Sequence, residues 1–315
     1  MGKAYSANGY ISAILRRSGK TVLVEGVSDK AVFHRLMVES HSDFDGQNHV
    51  DHAGIFDDET MAGLGNKAKI AKLLESINSL IQHHPRLGEV FSSLTDREWD
   101  DLDISPAGMN GQWAPPAQPI PHFITIGHSI ENYFLDAEAV IAYLKFMFSE
   151  NLTPAYTATI RGSFGAINSL AVSYSLCAKN KGCITRCDGL LDHLSIDIKD
   201  EKYYFNSSLA EKMAARNIDN AHDLVAEINE AVDTVWSNTT YSEPAKWLLH
   251  GHLGGEVIWS CVARNAREYG VTEEVISQIS HGYQRERERF LADWLSKIDP
   301  QLRTPLDSAV AWLRS

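Results

Sequence analysis

The hydrophobic pattern is sharpest at Thr21-Val22-Leu23-Val24, an apolar and mostly β-branched run. Such a run predicts a strand buried on both faces of a parallel sheet. Glu25 follows at the strand's end, Gly26 permits a turn, Ser28 can cap a helix and Asp29 falls in its first turn. Val32, Phe33, Leu36 and Met37 give that helix an apolar face. Upstream, Tyr10, Ile11, Ile14 and Leu15 predict an N-terminal helix over 4–18, ended by Gly19. Downstream the pattern predicts a polar turn at 42–48 and a second strand in 49–56. A helix opens at Gly63-Leu64-Gly65-Asn66-Lys67 and carries Ile70, Leu73, Leu74, Ile77 and Ile81 at helical spacing. Pro85 and Gly88 punctuate the chain before a third strand at 90–95, and a fourth strand is expected at 122–126. Between these last two, 104–121 holds five of the ten prolines, which marks an irregular insertion.

From about residue 137 the period becomes helical. Val140, Ile141, Leu144, Phe146, Met147 and Phe148 mark one helix, Leu224 to Val235 another, and 275–298 one or two more. Ile196 to Ile198 and Tyr203 to Phe205 alternate as a short hairpin would. The expectation is an α/β domain over 1–136, a parallel sheet flanked by helices, followed by a mainly α-helical domain over 137–315 for substrate, partner or dimer contacts.

Composition adjusts this picture in two places. No apolar stretch approaches the roughly 18 residues of a membrane span, and four cysteines without paired spacing read as reduced thiols, so a cytoplasmic protein with no membrane partner is expected. The net charge of −12 is awkward for a nucleic-acid binder. A carboxylate cluster that holds metal would inflate that count, and an acidic surface also suits a basic partner.

Three predicted strand ends deliver acids: Glu25 with Asp29, Asp96 with Glu98, and Glu131 just after a Ser129 cap. Acids two residues apart in extended chain point the same way, so Asp96 and Glu98 are expected to share a site. One acidic strand end is ordinarily a solvated loop; three on one sheet edge repel unless cations relieve them. Oxygen-only ligands select hard ions, Mg²⁺ or Mn²⁺. The Gly65-Asn66-Lys67 opening lacks the spacing of a Walker A loop or dinucleotide fingerprint, yet Lys67 at a helix N-terminus could meet a phosphate. Other groupings take structural readings. Cys183, Cys187 and His193 lack zinc spacing, and His250 and His252 would diverge on a helix. The run Arg285-Glu286-Arg287-Glu288-Arg289 alternates sign, as a solvated helix face does.

An acid in a Val-Glu-Gly context after strand one, with an Asp-x-acid pair at a later strand, resembles the TOPRIM signature. The form Glu25-Gly-x-Ser-Asp29 looks like the TOPRIM module of overcoming-lysogenisation-defect (OLD) nucleases. The run Ser129-Ile130-Glu131-Asn132-Tyr133-Phe134-Leu135 and the Gly65-Asn66-Lys67 opening resemble a bacterial TOPRIM family typified by AriB, the effector of the PARIS anti-phage system. By motif the resemblance covers roughly residues 20–136. It departs from the pattern at Glu98, where the family's pair has a second Asp.

The resemblance implies a TOPRIM fold and a metal-dependent phosphodiesterase. Glu25 would be metal ligand or general base and Asp96 a principal ligand. Asp29, Glu98 and Glu131 would complete one or two Mg²⁺ or Mn²⁺ sites, with Lys67 on a phosphate oxygen. It further implies a toxic endoribonuclease in antiviral defence, cutting tRNA and restrained by an ABC-type ATPase partner similar to AriA, with a homodimer in keeping with paired sites. An OLD-like DNA endonuclease and a catalytically silent TOPRIM-like interaction module are the alternatives.

Overall fold

The computed structural model describes residues 5–40, 47–102, 104, 114–236, 242–282 and 284–315. Most of the turn expected at 42–48 and residues 105–113 of the proline-rich insertion at 104–121 therefore fall outside the described residues, while 114–119 of that insertion carry no helix or strand. The chain divides into two compact units, one comprising 1–97, 115–126 and 292–315, the other 98–114 and 127–291. This division differs from the single boundary expected at 136/137, because the segment after the fourth strand groups with the helices and the C-terminal residues return to the sheet.

The first unit holds α1 (Ala7–Arg16), β1 (Thr21–Val24), α2 (Val27–Ser40), β2 (His49–His52), α3 (Asn66–Leu80), α4 (Arg86–Val90), β3 (Phe91–Thr95) and β4 (His122–Ile124). Its four strands form one parallel sheet in the order β2-β1-β3-β4. All of β1 is buried, as its unbroken apolar run requires. The core on one side gathers Tyr10, Ile14, Phe56, Ile70, Leu73, Ile77 and Phe91, so the helical spacings read in α1 and α3 face the sheet.

Three expected strands are shorter than the pattern suggested, β4 ending at Ile124 instead of Ile126. Residues 53–55 form a 3₁₀ turn, which carries both Ala53 and Phe56 into the core where a continued strand would have separated them. Val90 ends α4 instead of opening β3; Pro85 and Gly88, read as loop punctuation, lie at the start and inside this short helix.

In the second unit follow α5 (Ala137–Phe148), α6 (Pro154–Asn180), α7 (Ile184–Cys187), β5 (Ile196–Lys199), β6 (Lys202–Phe205), α8 (Ser207–Ala215), α9 (Ala221–Ala231), α10 (Ser242–Leu248), α11 (Gly251–Glu268) and α12 (Glu273–His281). Helix α13 (Gln284–Lys297) crosses the division between the units, and α14 (Leu306–Arg314) packs on α2 and the sheet of the first unit. The expected hairpin is present, and Asp200 and Glu201 turn it with φ of 50° and 62°, the left-handed pair that a two-residue turn needs. Within this unit α11 packs against α6 and α12. Among the described residues no helix is long and apolar enough to cross a membrane.

Candidate active site

A parallel sheet of order 2-1-3-4 changes direction between its first and third strands, and ligands of open α/β sheets bind beyond the carboxyl ends of the strands at that point. Glu25 leaves β1 there and Asp96 leaves β3, and the two strands are direct neighbours. The register Leu23↔Ser93 sets Glu25 level with Thr95, and the Glu25 carboxylate spans the remaining step: its Oε1 accepts the backbone N–H of Asp96 at 2.8 Å. Two acids 71 positions apart in the chain are thus joined by one hydrogen bond.

The loop after Glu25 is built differently from the sequence expectation. α2 starts at Val27, so Ser28 lies inside it and does not cap it. Asp29 does that work, its Oδ2 accepting the N–H of Gly26 at 2.7 Å, the return half of a capping box. Asp29 is only 8% exposed. Gly26 serves close approach more than backbone freedom, because a Cβ there would sit 3.2 Å from Asp29 Oδ2 and 3.3 Å from Ser28 Oγ. A side chain at 26 would displace the carboxylate that holds the turn.

Lys67 lies in the first turn of α3 and its Nζ donates to the carbonyl oxygen of Arg97 at 3.1 Å, one residue beyond Asp96. Lys67 is thus at the helix N-terminus where it was expected, and that end of α3 reaches the end of β3. Arg97 itself is 4% exposed; its N–H donates to Thr125 Oγ1 at 2.9 Å and its Nη1 to the carbonyl of Ile126 at 3.2 Å, pinning the end of β3 to the end of β4. The sequence reading assigned Arg97 no role, and a lone arginine between two acids offers no pattern that would have found this one.

Neither a protein-family model nor a curated protein matches the chain.

Glu98 and Glu131 belong to the second unit. The extended-chain argument for pairing Asp96 with Glu98 does not hold, because Glu98 adopts φ 54° and the chain turns there. Its N–H donates to the carbonyl of His128 at 2.8 Å, so Glu98 joins the segment that leads to Glu131. That segment is set by a fully buried Asn132. Its Oδ1 accepts the N–H of Ser129 at 2.7 Å, and its Nδ2 donates to the carbonyls of Lys246 at 2.7 Å and Leu249 at 3.0 Å. Ser129 heads the 3₁₀ helix Ile130–Phe134, and Glu131 lies in its first turn as expected. Gly251 makes room for this carboxylate, since a Cβ there would come within 2.8 Å of Glu131 Oε2. His250 caps α11, accepting the N–H of Leu253 at 3.4 Å, and burial pushes its imidazole down to about 4, so it is neutral near pH 7.

The acids at the β1/β3 point offer oxygen donors alone, which fits a hard divalent cation. Among the described residues no three His, Cys, Asp or Glu side chains are grouped to hold a metal ion. Mg²⁺ does not require such a group; it is commonly held by one or two carboxylates together with water and phosphate oxygens of a substrate. Glu25 and Asp96 are chemically sufficient on that basis.

Proposed function

We propose that the chain is a metal-dependent phosphodiesterase acting on nucleic acid, with its reaction centre where β1 and β3 end. The observation that carries this reading is the hydrogen bond from Asp96 N–H to Glu25 Oε1 at the sheet's switch point. Glu25 and Asp96 would hold Mg²⁺ or Mn²⁺, which supplies activation of water and charge stabilisation at the phosphorus. Asp29 keeps the loop behind Glu25 in place through Gly26, and the resemblance adds Asp29, Glu98 and Glu131 as further ligands. Lys67, tethered one residue past Asp96, is the cation assigned to a phosphate oxygen.

Support for RNA as substrate, tRNA especially, comes from the resemblance to the AriB-typified TOPRIM family. The same holds for a role as toxic effector in anti-phage defence and for control by an ABC-type ATPase partner. The test is paired expression of the wild type and Glu25→Gln, with total RNA and plasmid DNA inspected together. Toxicity with discrete tRNA fragments, absent in the variant, supports the RNase. Nicked plasmid with intact tRNA moves the assignment to an OLD-like DNA endonuclease, and cleavage that survives in the variant overturns the site.

A further inference from the structure

A second concave site lies wholly within the helical unit. It is a cavity of about 420 Å³ walled by α11, α12, the start of α13 and the segments around residues 131–135 and 188–191. Its size is that of a small-molecule pocket. Three polar atoms on its lining residues make no hydrogen bond of good geometry among the described residues, Glu256 Oε2, Ser280 Oγ and Arg287 Nε, with Asp188 and the Leu191 backbone also close to the Glu256 carboxyl. Ser280 and Arg287 are only 7% and 8% exposed. Buried polar atoms are nearly always satisfied, and three unsatisfied ones around a single cavity mark the place where a polar molecule would complete them.

The lining carries one arginine, Arg287, and the acids Glu131, Asp188, Glu256 and Glu288. At one end Arg287 donates through Nη2 to the carbonyls of Ile279 at 2.8 Å and Gly282 at 3.1 Å, and its guanidinium lies 4.0 Å over the Trp259 ring. Two carbonyls and aromatic faces hold the cation in place, with Tyr143 and the carboxylate of Glu288 also near it, and Nε has no partner of good geometry. At the other end Glu256 accepts the N–H of Gly189 at 2.6 Å beside Asp188. Burial, and then the neighbouring Asp188, push the Glu256 carboxyl up to about 7. A cation bound between these two acids would relieve their crowding. Glu256 and Trp259 are three residues apart on α11, hence on one face and about 4.5 Å apart along the axis. The acid pair and the arginine are therefore separated by roughly one helical turn, with apolar Phe134 and Leu191 beside them.

We propose that this cavity binds a small zwitterion of the α-amino-acid class. Its carboxylate meets Arg287 and Ser280, its ammonium meets Glu256 and Asp188, and its side chain lies against Phe134, Leu191 and Trp259. An α-amino acid is the smallest common molecule that presents both charges at this spacing. The proposal is independent of the phosphodiesterase reading and concerns a different site.

The test uses the purified full-length chain with the standard L-amino acids at millimolar concentration, read by thermal shift and then by calorimetry. The expected result is that at least one amino acid raises the melting temperature and binds one to one. Its decarboxylated amine and its deaminated acid should each bind at least about tenfold more weakly. Glu256→Gln, which preserves size, and Arg287→Met should weaken binding by about tenfold or more. Should Arg287→Met fail to melt cooperatively, Glu256→Gln and the two single-charge analogues decide the matter. The proposal is overturned if no amino acid stabilises the chain, if either analogue binds as well as its parent, or if Glu256→Gln binds like the wild type.

Discussion

The carboxylates at the end of the sheet and those around the helical cavity are held in opposite ways. At the switch point Glu25 and Asp29 each accept a backbone N–H, from Asp96 and Gly26; the first bond joins the ends of β1 and β3 and the second holds the turn into α2. In the cavity Glu256 also accepts an N–H, from Gly189, but it faces Asp188 and its Oε2 makes no hydrogen bond of good geometry. The first arrangement offers oxygen donors held by backbone N–H groups and suits a hard cation; the second crowds two acids together, and a bound cation would relieve that crowding. Counting acids would not have separated them, whereas the partners of each oxygen do.

The largest expected effect is on chemistry at the first region. Glu25→Gln keeps an oxygen for the Asp96 N–H, so it should fold as the wild type does and lose cleavage by about 10²–10⁴-fold in a nuclease assay. Equal loss of fold and activity would mean that Glu25 acts structurally. Next comes the Asn132 tie. Asn132→Ala abandons one buried N–H and two carbonyls, and should cost about 2–4 kcal/mol in chemical denaturation. A smaller loss would show that water replaces the amide.

Third, the cavity should make stability depend on pH. The folded pKa of Glu256, about 7, lies above its ordinary value near 4.5, so the folded state binds this proton more tightly than the unfolded one. Its contribution is fully present below the ordinary value, declines as pH rises between the two values and is gone above about 7. Glu256→Gln should therefore raise the melting temperature by about 3 °C at pH 8 and by less at pH 5. A variant that parallels the wild type at both pH values would contradict the burial argument. The smallest effect separates two roles of one residue: Glu25→Ala leaves the Asp96 N–H without its acceptor and should cost about 1–3 kcal/mol that Glu25→Gln does not.

The difference between the two regions also explains what could be read from the chain before folding. The α/β class, β1, the helices with clean stripes and the positions of Glu25 and Asp96 follow from local pattern, because a strand's end and its following turn lie within a few residues of each other. Asp29 falls in the first helical turn as the sequence suggests, but its bond to Gly26 and the place of Ser28 inside α2 depend on where the helix begins, which Gly-Val-Ser-Asp leaves open. The cavity was not legible. Its walls come from five distant segments, and Arg287 was hidden in a run of alternating charge read as solvated; the signal that points it inward is its i, i+4, i+8 alignment with Leu291 and Leu295, all three buried. Helix α6 was obscured in another way. Its buried Ser169, Ser173 and Ser175 donate to carbonyls four residues back, at 3.0, 2.8 and 2.7 Å, so core positions carry residues that look like surface.

The most direct test of the switch-point site is the binding of Mn²⁺, followed by electron paramagnetic resonance as the ion is titrated into the wild type, Glu25→Gln and Asp96→Asn. This readout does not depend on knowing the substrate or on releasing the enzyme from a partner. The account predicts saturable binding to the wild type and at least about tenfold weaker binding to both variants. Equal binding by all three proteins, or none by the wild type, would contradict it.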